Sequence, residues 1–169
     1  MIQLNENSDW RTLFGTERAD SRMRDIELIL RFFVMKSEYV QESKSSQISL
    51  KKALNDFMGK HQNALDEVLS CFEQEFCTTI LAVREALGIN AFRNYQKGKF
   101  TRKFHPAIFD AIMVAFYYRV REGEQIGSIA TEKHIALLSD SRFSDAISKH
   151  TTDIENIKQR IKLATQHLF

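Results

Sequence analysis

Residues 22–33 read Arg-Met-Arg-Asp-Ile-Glu-Leu-Ile-Leu-Arg-Phe-Phe, and no other stretch limits the fold as tightly. At helical spacing Ile26, Ile29, Leu30 and Phe33 form one apolar stripe, and Leu28, Phe32 and Met35 form a second. A helix that is apolar on two sides must be wrapped by other elements. Arg24, Glu27 and Arg31 occupy the remaining side, with Glu27 four residues ahead of Arg31 in the favourable order for a helical ion pair. With Asp20 or Ser21 as N-cap, Arg22 and Arg24 fall in the first turn, where the helix dipole disfavours cations. Cations placed there call for a partner elsewhere, either a carboxylate of another helix or a bound phosphate.

A second helix of the same kind begins at Pro106, because proline is tolerated at the first helical position and Asp110 then sits in the dipole-favoured first turn. Ile108, Phe109, Ile112, Met113, Phe116, Tyr117 and Val120 make it apolar over most of its circumference. These two helices should form the centre. One proline and six glycines leave little material for strands and tight turns, so the expectation is an all-α fold: one compact domain of seven or eight helices over residues 1–169.

The outer helices follow from caps and periodicity. Ser49 caps a helix with Leu50, Ala53, Leu54, Phe57 and Met58 on one face. Asn63 caps a longer one, in which Leu65, Val68, Leu69, Phe72, Phe76, Ile80, Val83 and Leu87 share a side and Gly88 lies just past the end. Residues 126–147 read as an interrupted helix or short pieces. Thr152 and Glu155 have capping-box spacing, and Ile154, Ile157, Ile161, Ala164 and Leu168 give the last helix a narrow seam. That seam either docks on the core or forms a homodimer.

Charge is uneven although the net value is only +2. Between Ala86 and Phe109 lie Arg93, Lys97, Lys99, Arg102 and Lys103 without a single Asp or Glu, in a connection or short hairpin around Lys97 and Gly98. Phe92, Tyr95, Phe100 and Phe104 are interleaved with them. One reading is a nucleic-acid surface of low sequence preference, with cations on phosphates and exposed rings such as Tyr95 stacking on bases. The other has the rings anchoring the segment to the core and the cations simply solvated. A second basic set, Lys158, Arg160 and Lys162, reads as the solvated face of the last helix.

No complete active site is legible. Cys71 and Cys77 are six apart without a ligand-spaced His or Cys, which makes them buried reduced thiols rather than a metal box. His61, His105, His134, His150 and His167 are scattered, so no metal and no cofactor is expected. A nucleophile elbow and a phosphate-cradling glycine loop are both absent. Residues 1–8 lack the basic flank and apolar run of a signal peptide, and no apolar run is long enough for a bilayer; a cytoplasmic protein without membrane contact is expected.

Arg22, Met23, Asp25, Glu27, Leu28, Leu30, Arg31 and Phe32 together resemble the R-M-x-D-x-E-L-x-L-R-F segment of the GmrSD-type restriction endonuclease family. Trp10-Arg11-Thr12-Leu13-Phe14-Gly15, Leu54-Asn55-Asp56-Phe57-Met58, Ala91-Phe92-Arg93 and Phe104-His105-Pro106-Ala107-Ile108-Phe109-Asp110-Ala111 are similar to other family positions in the same order. The resemblance implies the C-terminal helical region of proteins that defend against foreign, often modified, DNA. It further implies a ParB-like N-terminal domain as partner in cis or in trans. Nucleotide hydrolysis in the family is attributed to a Gly-Gln-containing N-terminal motif, which this chain lacks. The resemblance therefore implies a non-catalytic scaffold that contacts DNA or a partner domain, and a protein-interaction module with no nucleic-acid role is the alternative. For Arg22, Arg24, Asp25, Glu27 and Arg31 two roles stand: a buried ion network through Asp25, Glu27 and Arg31, or a phosphate site walled by Arg22, Arg24 and Arg31.

Overall fold

The computed structural model describes all 169 residues. Ten helices and one hairpin follow in chain order: α1 (Ile2–Asn5), α2 (Ser8–Phe14), α3 (Arg24–Met35), α4 (Glu38–Gln41), α5 (Leu50–His61), α6 (Asp66–Leu87), β1 (Arg93–Gln96), β2 (Lys99–Phe104), α7 (Pro106–Arg121), α8 (Thr131–Ser139), α9 (Ser141–Ser148) and α10 (Ile154–Leu168). The fold is predominantly helical, and the expectation of a pure all-α domain with seven or eight helices is corrected in two ways. α1 and α4 are single turns of four residues, too short to show periodicity. Lys97 and Gly98 both take positive φ, 51° and 77°, which is the backbone a two-residue hairpin turn requires, so β1 and β2 pair antiparallel.

α7 is buried without a break from Ala107 to Tyr117 and packs against α3, α6 and α10. α3 serves two apolar clusters at once. Leu28, Ile29, Phe32 and Phe33 join the main core with Trp10, Phe76, Phe92, Phe109 and Phe116. Leu30, Val34 and Met35 meet Val114, Ile157 and Ile161 in a smaller cluster. The central placement of α3 and α7 thus follows from their breadth of apolar surface.

Other expectations shift at the ends of elements. Ser49 does cap α5 by accepting from Lys52 N. α6 begins at Asp66 with Leu65 at the cap position instead of Asn63. The capping box at α10 does not form: Asp153 is the N-cap, and Ile48 N donates to Thr152 O while Ile154 N donates to Ser46 O, tying the 43–49 loop to the helix start. Of the two readings of the α10 seam, the structure shows docking on the core: Ile154, Ile157, Ile161, Ala164 and Leu168 are all covered within the chain. Cys71 is exposed and Cys77 half-buried, against the expectation of two buried thiols. No helix is long and apolar enough to cross a membrane.

Candidate functional site

The β1–β2 hairpin carries the charge. Arg93 pairs with Phe104 and Tyr95 with Phe100, which leaves Asn94 alone opposite Thr101, Arg102 and Lys103. This bulge re-aims the far end of β2. Lys97, Lys99, Arg102 and Lys103 are exposed and none forms an ion pair. The rings turn the other way. Phe92 is fully buried against Phe104 and Phe109, Phe104 also touches Trp10 and Phe14, and Phe100 lies on His134 at 5.4 Å. Tyr95 is half-buried, edge-on to Phe100 at 5.2 Å.

Arg93 has a structural task. Its Nη2 donates to Leu13 O and Phe14 O at 3.1 Å each, satisfying the last carbonyls of α2, where a cation also complements the helix dipole. Burial lowers the Arg93 pKa. Gly15 makes this possible: its φ is +91°, and a Cβ there would lie 2.6 Å from Arg93 Nη2. Of the six residues expected at a nucleic-acid surface, Lys97, Lys99, Arg102 and Lys103 face solvent, whereas Arg93 and Tyr95 brace the hairpin.

The charges of α3 divide between two separate buried sites. Asp25 is fully buried and accepts four hydrogen bonds, from Asn5 Nδ2 (2.9 Å), Arg11 Nη2 (2.8 Å), Asp20 N (2.9 Å) and Ile26 N (2.9 Å). Burial alone would raise this carboxyl, but those donors hold it down at about 2. Asn5 Oδ1 in turn accepts from Trp10 Nε1 and Arg11. This knot fastens α1 and α2 to the start of α3.

The second site is centred on Asp110, also fully buried. Arg31 grips it with Nε at 3.2 Å and Nη2 at 2.5 Å, and Arg160 adds Nη2 at 3.0 Å. Arg160 has no exposed surface, and its Nη1 donates to Thr151 O at 2.9 Å. Burial and the neighbouring Arg31 lower the Arg160 pKa. Burial opposes the charge of Arg31 as well, but Asp110 outweighs it and the pKa is raised.

Glu27 belongs to neither site. It is exposed and makes no ion pair, so the expected Glu27–Arg31 pair is corrected: Arg31 turns inward to a buried carboxylate 79 residues away. Arg22 and Arg24 are also exposed, outside and at the start of a helix whose N-cap is Met23 at φ 55°. Arg24 pairs with Asp20 at 2.6 Å. The three arginines therefore do not build one phosphate wall. Sequence reasoning missed Asn5 and Arg11, and its placement of Arg160 with Lys158 and Lys162 on a solvated face of the last helix is corrected: Arg160 is fully buried, and the signal was its place in the apolar seam, three residues after Ile157 and four before Ala164.

His134 is 2% exposed, its Nε2 has no partner, and burial lowers its pKa to about 4. It supports Phe100 from below the hairpin. No group of three or more His, Cys, Asp or Glu could hold a metal ion. A groove of about 530 Å³ among Phe33, Phe57, His61 and Phe72 includes no hairpin residue. Comparison with protein-family models, curated proteins and solved structures finds no match to this chain.

Proposed function

We propose that this chain is a non-catalytic helical domain that contacts nucleic-acid phosphates through the β1–β2 hairpin. The observation that carries this reading is the set of four exposed, unpaired cations, Lys97, Lys99, Arg102 and Lys103, on one rigidly anchored ribbon. Cations of this kind supply sequence-independent affinity through counterion release. Because the hairpin rings are engaged with the core, base stacking by Tyr95 is not part of the proposal.

The similarity to the helical region of GmrSD-type proteins gives this contact a setting, defence against foreign DNA beside a ParB-like domain. In the fold the separate matching segments lie against one another. Arg11 binds Asp25, Arg31 binds Asp110, and Arg93 closes the end of the Trp10–Gly15 segment. Such a scaffold needs no catalytic group of its own.

The test is direct binding of labelled DNA at low salt by the parent and by Lys97→Gln/Lys99→Gln/Arg102→Gln/Lys103→Gln. Loss of most binding with an unchanged melting curve supports the reading. Equal binding by both, or none by the parent, overturns it. Incubation with NTP, Mg²⁺ and plain or modified DNA should show no turnover; turnover abolished by a point substitution in this chain would make it an enzyme.

A further inference from the structure

The β1–β2 hairpin is held against the body at both ends. At its base Arg93 Nη2 donates to Leu13 O and Phe14 O, and Phe104 packs on Trp10, Phe14 and Phe92. Towards its tip Phe100, two residues past Gly98, lies on buried His134 of α8 at 5.4 Å, and β1 packs along the same helix. Only the turn at Lys97 and Gly98 lies beyond these anchors. A β-ribbon that reads bases has to stand clear of its own domain, because the major groove is about 8.5 Å deep and the minor groove about 7.5 Å. This ribbon does not stand clear, so its cations line the side of the domain and not a projecting probe.

The same packing removes the means of holding a single strand. Single-strand surfaces of low sequence preference stack bases on exposed rings. Here Phe92, Phe100 and Phe104 are turned to the core, and Tyr95 is half-buried, edge-on to Phe100. What remains is charge on a fixed frame. From Lys99 to Lys103 the strand advances at most about 14 Å, at roughly 3.4 Å per residue. Over about 14 Å of its axis a DNA double helix carries roughly eight phosphate charges, twice the number on one strand at the same rise. A rigid row of cations gains more from the denser and stiffer of these two forms.

We infer that the hairpin docks on the phosphate backbone of a nucleic-acid double helix from outside, entering neither groove. This rests on the proposed phosphate contact of the hairpin and adds to it the form of the nucleic acid and the mode of contact.

Fluorescence anisotropy at low salt tests it, with short labelled DNA duplexes of AT-rich and GC-rich composition, each separate strand, and a duplex whose 5-propynyl pyrimidines fill the major groove without adding charge. All three duplexes should bind the full chain within about twofold of one another and at least about tenfold tighter than the single strands. Lys97→Gln/Lys99→Gln/Arg102→Gln/Lys103→Gln should lose most of the duplex binding. Single strands that bind the parent as tightly as duplexes, with the same dependence on the four cations, overturn the double-helix partner. A loss of about tenfold on the propynyl duplex, or between the two compositions, means that a groove is entered and overturns the mode of contact. If neither form binds the parent better than the fourfold variant, the phosphate contact itself fails and the inference falls with it.

Discussion

Arg160 and Asp110, fifty residues apart in sequence, meet as a fully buried ion pair at 3.0 Å, and Asp110 is shared with Arg31. One carboxylate therefore bridges two guanidinium groups, leaving the cluster with a net charge of +1, and joins α3, α7 and α10. Asp110→Ala leaves both arginines without their anion and should cost about 3–5 kcal/mol. Arg160→Met keeps the Arg31 pair and fills most of the volume, so a clearly smaller loss is expected. Urea melts of both variants check the asymmetry; equal losses would contradict the shared-anion arrangement.

On α3, Asp25 and Glu27 should behave oppositely. Glu27→Ala removes an exposed, unpaired group and should stay within about 0.5 kcal/mol of the parent. Asp25→Ala strands Arg11, Asn5 and two backbone donors and should cost about 2–4 kcal/mol. Denaturant midpoints of the two variants decide it.

This reversal marks the limit of sequence reading. Glu27 and Arg31 satisfy the i, i+4 rule, but a surface pair is worth a few tenths of a kcal/mol and a buried carboxylate outcompetes it. Asp110 was visible as an acid near the start of α7, though it lies in the second turn and not in the first as expected, and nothing local linked it to Arg31 or Arg160. The central roles of α3 and α7 were legible because a breadth of apolar surface is a property of one segment. The Lys97–Gly98 turn was legible for the same reason. The inward rings were one of two readings the segment allowed, and the choice was not legible, since Phe92 and Phe104 find their partners Trp10, Phe14 and Phe109 only in the tertiary fold.

Gly15→Ala combines a left-handed backbone with a Cβ 2.6 Å from Arg93 Nη2. Displacing Arg93 uncaps α2 and loosens the hairpin, at a cost of about 1–3 kcal/mol. Thermal melts measure the loss, and Arg93→Ala in the Gly15→Ala background should add less than it does in the parent.

Acid should weaken the fold in two stages. His134 is held near 4 while its unfolded value is 6.5, so the unfolded state takes up the proton first. Its contribution is full above pH 6.5 and is lost as pH falls towards 4; His61 and His105, also lowered, act in the same direction. Asp25, held near 2 against 3.8, contributes fully above about pH 4 and loses that contribution as pH falls through 2. Melts at pH 7 and 5 should converge in His134→Leu relative to the parent; an unchanged gap would place the proton uptake elsewhere.

The most direct measurement of the nucleic-acid contact is the salt dependence of DNA binding. With four solvent-facing cations on the hairpin, log K against log salt should fall with a slope no steeper than about −4, and each single Gln substitution at Lys97, Lys99, Arg102 or Lys103 should flatten it by roughly 0.9. A slope near zero, or one that these substitutions leave unchanged, would contradict the hairpin as the phosphate-binding element.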